Sequence, residues 1–156
     1  ERYGRGGRVI EPGSRAPGFS LADHEGNPVT LGEYSGRNLV IAFYPLDFSP
    51  VCTDQLSVYQ EVLGEIESRD ASLVGISIDS QPCHAAFREK LGLAIPLLAD
   101  FHPKGAVCEA YGAYLPEWGH SNRSLVLIDA DGKVEWVHET ATPLDIPAPN
   151  LILDAL

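Results

Sequence analysis

Asn38-Leu39-Val40-Ile41-Ala42-Phe43-Tyr44-Pro45-Leu46-Asp47-Phe48-Ser49-Pro50-Val51-Cys52-Thr53 is the stretch that decides the fold. Its first seven residues form an unbroken apolar run, the pattern of a central strand covered on both faces. Pro45 ends the strand. From Thr53 to Ser68 the residues Leu56, Tyr59, Leu63 and Ile66 recur at helical spacing, so a strand, a short loop and an amphipathic helix follow one another. In an open α/β sheet such a junction lies beyond the carboxyl end of the strand, where ligands usually bind.

Working outward, Ser72 to Asp79 reads as a second buried strand, and Pro82 to Leu91 as a helix with Cys83, Ala86, Phe87 and Leu91 on one side. Ile95 to Leu98 is a short extended piece and Lys104 to Tyr111 a short helix. Ser124 to Asp129 and Lys133 to His138 flank Ala130-Asp131-Gly132, whose Asp-Gly pair is a hairpin signal. Toward the amino end, Phe19 and Leu21 alternate with polar neighbours. Val29-Thr30-Leu31 follows the turn Glu25-Gly26-Asn27-Pro28, giving a small hairpin. Asn150 is the expected cap of a last short helix. The order predicts an α/β fold with a central mixed sheet, helices on both faces and an amino-terminal β-hairpin extension. That is a thioredoxin-like arrangement, and a fold alone does not give a function.

The chain has 156 residues, enough for one core. Residues 9–156 are read as that single domain, and the Arg- and Gly-rich residues 1–8 as a flexible tail, native or left by a tag or by trimming. A net charge of −11 argues against nucleic-acid or anionic-membrane partners, which need basic patches. No apolar run approaches the roughly 20 residues of a membrane span. No secretory leader is visible. The three cysteines, Cys52, Cys83 and Cys108, contain no Cys-x-x-Cys pair, and suit a reducing, cytoplasmic compartment. His24, His84, His102, His120 and His138 have no metal-ligand spacing, so neither metal nor cofactor is expected.

Cys52 falls in the first turn of its helix, beside unpaired N–H groups and the positive end of the macrodipole. An unperturbed thiol of pKa about 8.5 is only about 3% thiolate at neutral pH, and such a position raises that fraction. From position alone two readings stay open: an activated nucleophile, or the inert buried cysteine that is the commonest fate of the residue.

Pro45, Ser49 and Cys52 resemble the peroxiredoxin signature Pro-x-x-x-Thr/Ser-x-x-Cys. The resemblance runs from about Pro12 to His138, through Gly13-Ser14-Arg15-Ala16-Pro17-Gly18-Phe19-Ser20-Leu21 and Asn122-Arg123-Ser124-Leu125-Val126-Leu127-Ile128-Asp129. Pro96-Leu97-Leu98-Ala99-Asp100 with His102-Pro103-Lys104-Gly105-Ala106-Val107 is similar to the AhpE-like and bacterioferritin-comigratory-protein-like branches. The resemblance implies a thiol-dependent peroxidase acting on hydrogen peroxide and organic hydroperoxides through a Cys52 sulfenic acid. Ser49 would hydrogen-bond the peroxide, Pro45 would shield the sulfur, and Arg123 would stabilise the thiolate and the breaking O–O bond. Many relatives carry Glu three residues after the nucleophile; here it is Gln55, which anchors an arginine less strongly.

In some members a resolving cysteine occupies the region of Cys83, which implies an intramolecular disulfide with Cys52. Read from its helix, Cys83 is equally a small core residue, and both alternatives stand. Cys108 is read as packing. The expected reductant is thioredoxin or a glutaredoxin-like protein, and the expected state is a monomer or a homodimer with Phe48 as a contact. The rival functions are one-cysteine turnover by an external thiol, a peroxide sensor that stops at the same sulfenic acid, and a redox-silent scaffold.

Overall fold

A computed structural model describes residues 9–142 and 144–156. The tail expected over residues 1–8 lies outside the described residues. In chain order the strands are β1 (Ser20–Ala22), β2 (Pro28–Thr30), β3 (Asn38–Phe43), β4 (Ala71–Ser77), β5 (Leu97–Ala99), β6 (Tyr114–Leu115), β7 (His120–Ser121), β8 (Ser124–Ile128) and β9 (Val134–Glu139). The α-helices are α1 (Pro50–Ser68), α2 (Gln81–Leu91), α3 (Ala106–Ala110) and α4 (Pro149–Ala155).

Seven strands join one sheet in the order β2-β1-β5-β4-β3-β8-β9. β3, β4 and β5 run parallel, while β8 and β9 on one side and β1 and β2 on the other are antiparallel. The expected hairpin extension therefore continues the main sheet past β5. The apolar run of β3 divides by strand alternation. Val40, Ala42 and Tyr44 pack on one face with Leu56, Tyr59, Leu63 and Ile66 of α1, Phe87 of α2 and Ile152 of α4. Leu39, Ile41 and Phe43 pack on the other with Cys108 and Tyr111. Both faces are dry, which is why no polar residue interrupts the run.

Several boundaries differ from the sequence expectation. α1 starts at Pro50 rather than Thr53, because Ser49 takes the N-cap conformation and proline at the first helical position has its φ already set. β2 stops at Thr30, and Leu31 opens a 3₁₀ turn to Tyr34, tied by the Thr30 N–H donating to Glu33 Oε2 at 2.7 Å. β5 begins two residues later than expected, since Pro96 has no N–H and contributes only its carbonyl, to Gly75 N–H. Asn150 is not the cap of α4; Ala148 holds that position and Pro149 the first turn. On α2, Ala86 is exposed, and His84 turns inward with Phe87. The two-stranded β6–β7 hairpin was not expected; its strands are two residues each, too short for a periodic signal.

Candidate active site

The carboxyl ends of β3 and β4 and the amino ends of α1 and α2 meet at one edge of the sheet. Cys52 is the third residue of α1 and is wholly buried. Ser49 closes the first turn through its backbone, its carbonyl accepting from Thr53 N–H at 2.9 Å. Its hydroxyl turns away and donates to the Leu46 carbonyl at 3.0 Å. No side chain caps this turn, so the positive end of α1 is left uncovered beside the sulfur. With its proton engaged, the Ser49 hydroxyl offers an oxygen lone pair to an incoming donor. Pro45 is buried at the head of the loop.

Arg123 arrives from far along the chain. Antiparallel pairing sets Ser124 opposite Phe43, so the preceding residue comes level with the loop that leaves β3. Arg123 is 2% exposed; its Nη1 donates to Cys52 Sγ at 3.2 Å and to Gln55 Oε1 at 2.6 Å. Gln55, one turn of α1 beyond Cys52 and also buried, donates from Nε2 to the Tyr59 hydroxyl oxygen at 3.2 Å. Tyr59 in turn donates to the Pro147 carbonyl at 2.8 Å. Every proton in this chain points one way, which fixes the amide's orientation and explains what an amide does here that a carboxylate does not. It holds the guanidinium without cancelling its charge, and it satisfies the tyrosine oxygen. Burial pushes the Tyr59 hydroxyl up to about 12, so it stays a neutral donor at physiological pH. Tyr59→Phe should therefore cost about 1–3 kcal/mol in denaturant unfolding, because it leaves the Pro147 carbonyl and the Gln55 amide short of partners.

The loop is fastened on its other side by Asp47. The Asp47 carboxylate is buried and accepts from the Tyr44 hydroxyl and from His84 Nδ1, the latter at 2.6 Å with both side chains fully buried. Asp47 N–H donates to Asp79 Oδ2 at 2.8 Å, and the Ser77 hydroxyl donates to the same oxygen. Gly75 makes room for this arrangement. A Cβ there would lie 2.8 Å from Leu97 Cδ2 and 3.1 Å from the Tyr44 ring, which carries the hydroxyl to Asp47. Phe48 adopts a positive φ of 67°, uncommon for a bulky residue, and packs against Phe87 with ring centroids 5.0 Å apart and planes tilted by 58°.

Cys83 is also a third helical residue behind a serine N-cap, yet its surroundings are the reverse of those at Cys52. The Ser80 hydroxyl accepts from its N–H at 3.3 Å, and its thiol faces Asp79 Oδ1 at 3.8 Å. Burial, Asp47 and Asp79 together push the Cys83 thiol up to about 12. Burial and Asp100 push the Cys108 thiol up as well; it is 0% exposed within the core, as expected of a packing residue. All three cysteines are free thiols.

Of the residues singled out in the sequence, Arg123 thus reaches Cys52, with Gln55 bound to the same Nη1, while Pro45 and Ser49 lie on the loop that leads into α1. Cys83 lies beside Asp47 on the far side of the same loop. Asp47, His84 and the Tyr59 hydroxyl join the site although no sequence motif marks them. The spacing of His84, Phe87 and Leu91 was the available signal for an inward histidine. Nothing local pairs Asp47 with a residue 37 positions later.

The sequence pattern of the AhpC/TSA family matches residues 12–137. Alkyl hydroperoxide reductase E of Mycobacterium tuberculosis is 34% identical over 149 residues, covering 95% of this chain and 97% of the relative. Among solved structures, peroxidoxin BcpB of Mycobacterium tuberculosis superposes with a TM-score of 0.79 at 28% identity, over 93% of this chain and 92% of that one. Mycobacterium tuberculosis AhpC gives a TM-score of 0.84 at 23% identity, over 95% and 97% of the two chains, a likeness of fold.

Proposed function

The chain belongs to the AhpC/TSA family and is a thiol-dependent peroxidase, and from that premise we propose that Cys52 is its peroxide-reducing nucleophile. The observation that carries this reading is the buried Arg123 guanidinium 3.2 Å from the Cys52 sulfur, at an uncapped helix amino terminus.

The proposed step is a two-electron displacement. The thiolate's electron pair forms a bond to the peroxide oxygen that bears hydrogen, the O–O bond breaks, and the other oxygen leaves with that bond's electrons. Cys52 becomes a sulfenic acid, and the leaving oxygen takes a proton to depart as alcohol, or as water from hydrogen peroxide. Arg123 donates to the charge moving from sulfur to the leaving oxygen. Ser49 accepts from the peroxide hydroxyl, and Pro45 keeps water from the sulfur. A thiol then attacks the sulfenic acid and expels water, and a second thiol reduces the mixed disulfide to restore Cys52. Peroxide consumption with a thiol reductant tests the activity itself.

For the second half of the cycle we favour an external thiol, from thioredoxin or a glutaredoxin-like protein in a reducing compartment such as the cytoplasm. A resolving attack needs a thiolate, and Cys83 is held as a thiol by burial and by the two carboxylates beside it. Resolution by Cys83 would first require the opening turn of α2 to leave Asp79 and Ser80. Two measurements separate these routes. Alkylation of Cys83 at pH 8 should run on the order of 10²–10³ times slower than that of an ordinary thiol, and recover in denaturant. Cys83→Ser should keep thioredoxin-coupled turnover; loss of turnover, together with a Cys52–Cys83 disulfide in the wild type, would select the intramolecular route. Among the described residues no helix is long and apolar enough to cross a membrane.

A further inference from the structure

His84 lies outside the reacting groups, yet its two ring nitrogens join α2 and β5 to the loop that carries the site. Nε2 meets the carbonyl of Leu98 in β5 at 3.0 Å, and Nδ1 meets Asp47 Oδ2 at 2.6 Å. A carbonyl oxygen only accepts, so Nε2 carries a proton, and the contact with Asp47 holds a second proton between ring and carboxylate. The same Asp47 carboxylate takes the Tyr44 hydroxyl at the end of β3, and its backbone N–H is bound by Asp79 after β4. Asp47 is two residues from Pro45 and two from Ser49. Any rotation of its peptide moves both, and the neighbouring Phe48 already holds a positive φ.

We propose that Asp47 and His84 are positioning residues for the peroxidase reaction: the buried pair sets the loop from Pro45 to Ser49 against the Cys52 sulfur. The proposal rests on the reading of Cys52 as nucleophile. A carboxylate and an imidazole are costly to bury, and an apolar pair would pack the same space. What the polar pair adds is direction, because one carboxylate accepts from two strand and helix partners at fixed angles. A loop displaced by about 1 Å in a site of this kind loses on the order of 10²-fold in rate.

The two ends of the ring separate positioning from mere stability. In His84→Asn the amide nitrogen takes the place of Nδ1 and still donates to Asp47, while the Leu98 carbonyl is abandoned. In His84→Gln the amide nitrogen reaches the place of Nε2 and keeps Leu98, while Asp47 loses its partner. Both variants lose one buried hydrogen bond, so their melting temperatures should fall alike. The readout is the second-order rate constant for one turnover of reduced protein with hydrogen peroxide. The proposal expects His84→Gln to fall at least about 10-fold and His84→Asn to stay within about threefold of wild type. Equal rates in the two variants, or a slower His84→Asn, would overturn it. If neither folds, Asp47→Asn serves: a rate loss with retained melting temperature supports the pair, and an unchanged rate refutes it. Failure of the nucleophile assignment reads differently, since Cys52→Ser would then remain active whatever His84 does.

Discussion

Cys52→Ser is expected to reduce peroxide consumption to that of the reductant alone. A serine hydroxyl is hardly ionised at neutral pH, and its oxygen does not displace oxygen from a peroxide, so no residual path runs through the same position. The fold should survive, since the serine is nearly isosteric with the buried cysteine and slightly smaller. Cys83→Ser and Cys108→Ser provide the comparison, because they remove a thiol without removing the one facing a guanidinium. Activity surviving in Cys52→Ser would end the assignment, whatever the behaviour of the other two.

The second large effect is expected at Arg123. Replacing it with Met keeps much of the buried stem and deletes the charge that faces sulfur and leaving oxygen. Removing one such preorganised donor costs about 10²–10³ in rate, or about 2.7–4 kcal/mol of transition-state stabilisation. Arg123→Lys should be intermediate, because an ammonium keeps a charge near Sγ and Gln55, both of which Nη1 reaches, but lacks the rigid guanidinium plane that aims it. The loss should fall on the reaction with peroxide and not on recycling of the oxidised enzyme. Stopped-flow rates for each half of the cycle check this, alongside melting temperatures that report any damage to the fold.

The fold was legible in the chain wherever a local pattern maps onto a local structure. The run from Asn38 to Tyr44, the stripe of Leu56, Tyr59, Leu63 and Ile66, and the Asp131-Gly132 turn each gave the element they promised. Residues at the joints were read less well, because a proline or a cap there decides the boundary; Pro50, Pro96 and Pro149 each moved one. At the site, Pro45, Ser49 and Cys52 are close in sequence and could be read together. Arg123 was reached only through resemblance, and the structure brings it in by β3–β8 pairing. Asp47 with His84, and Tyr59 with Pro147, were invisible because hydrogen bonding between distant segments leaves no periodicity.

The two cysteines at helix starts make a comparison within one molecule. Each is the third residue of its helix, behind a serine at the N-cap and with a proline in the first turn. Helix position alone would give them the same character. The charged neighbours separate them: a guanidinium at Cys52, and two carboxylates at Cys83, where burial together with Asp47 and Asp79 pushes the thiol up to about 12. The helix dipole is worth a few tenths to about 2 kcal/mol. At Cys83 the carboxylates and burial outweigh it. A first-turn cysteine is therefore a candidate nucleophile only once its charged neighbours are known.

The most direct test is to treat the reduced protein with one equivalent of hydrogen peroxide in the presence of a dione that traps sulfenic acids, and to map the adduct by mass spectrometry. The adduct is expected on Cys52, with Cys83 and Cys108 unmodified over the same interval. An adduct on Cys83 or Cys108 while Cys52 stays reduced would contradict the account.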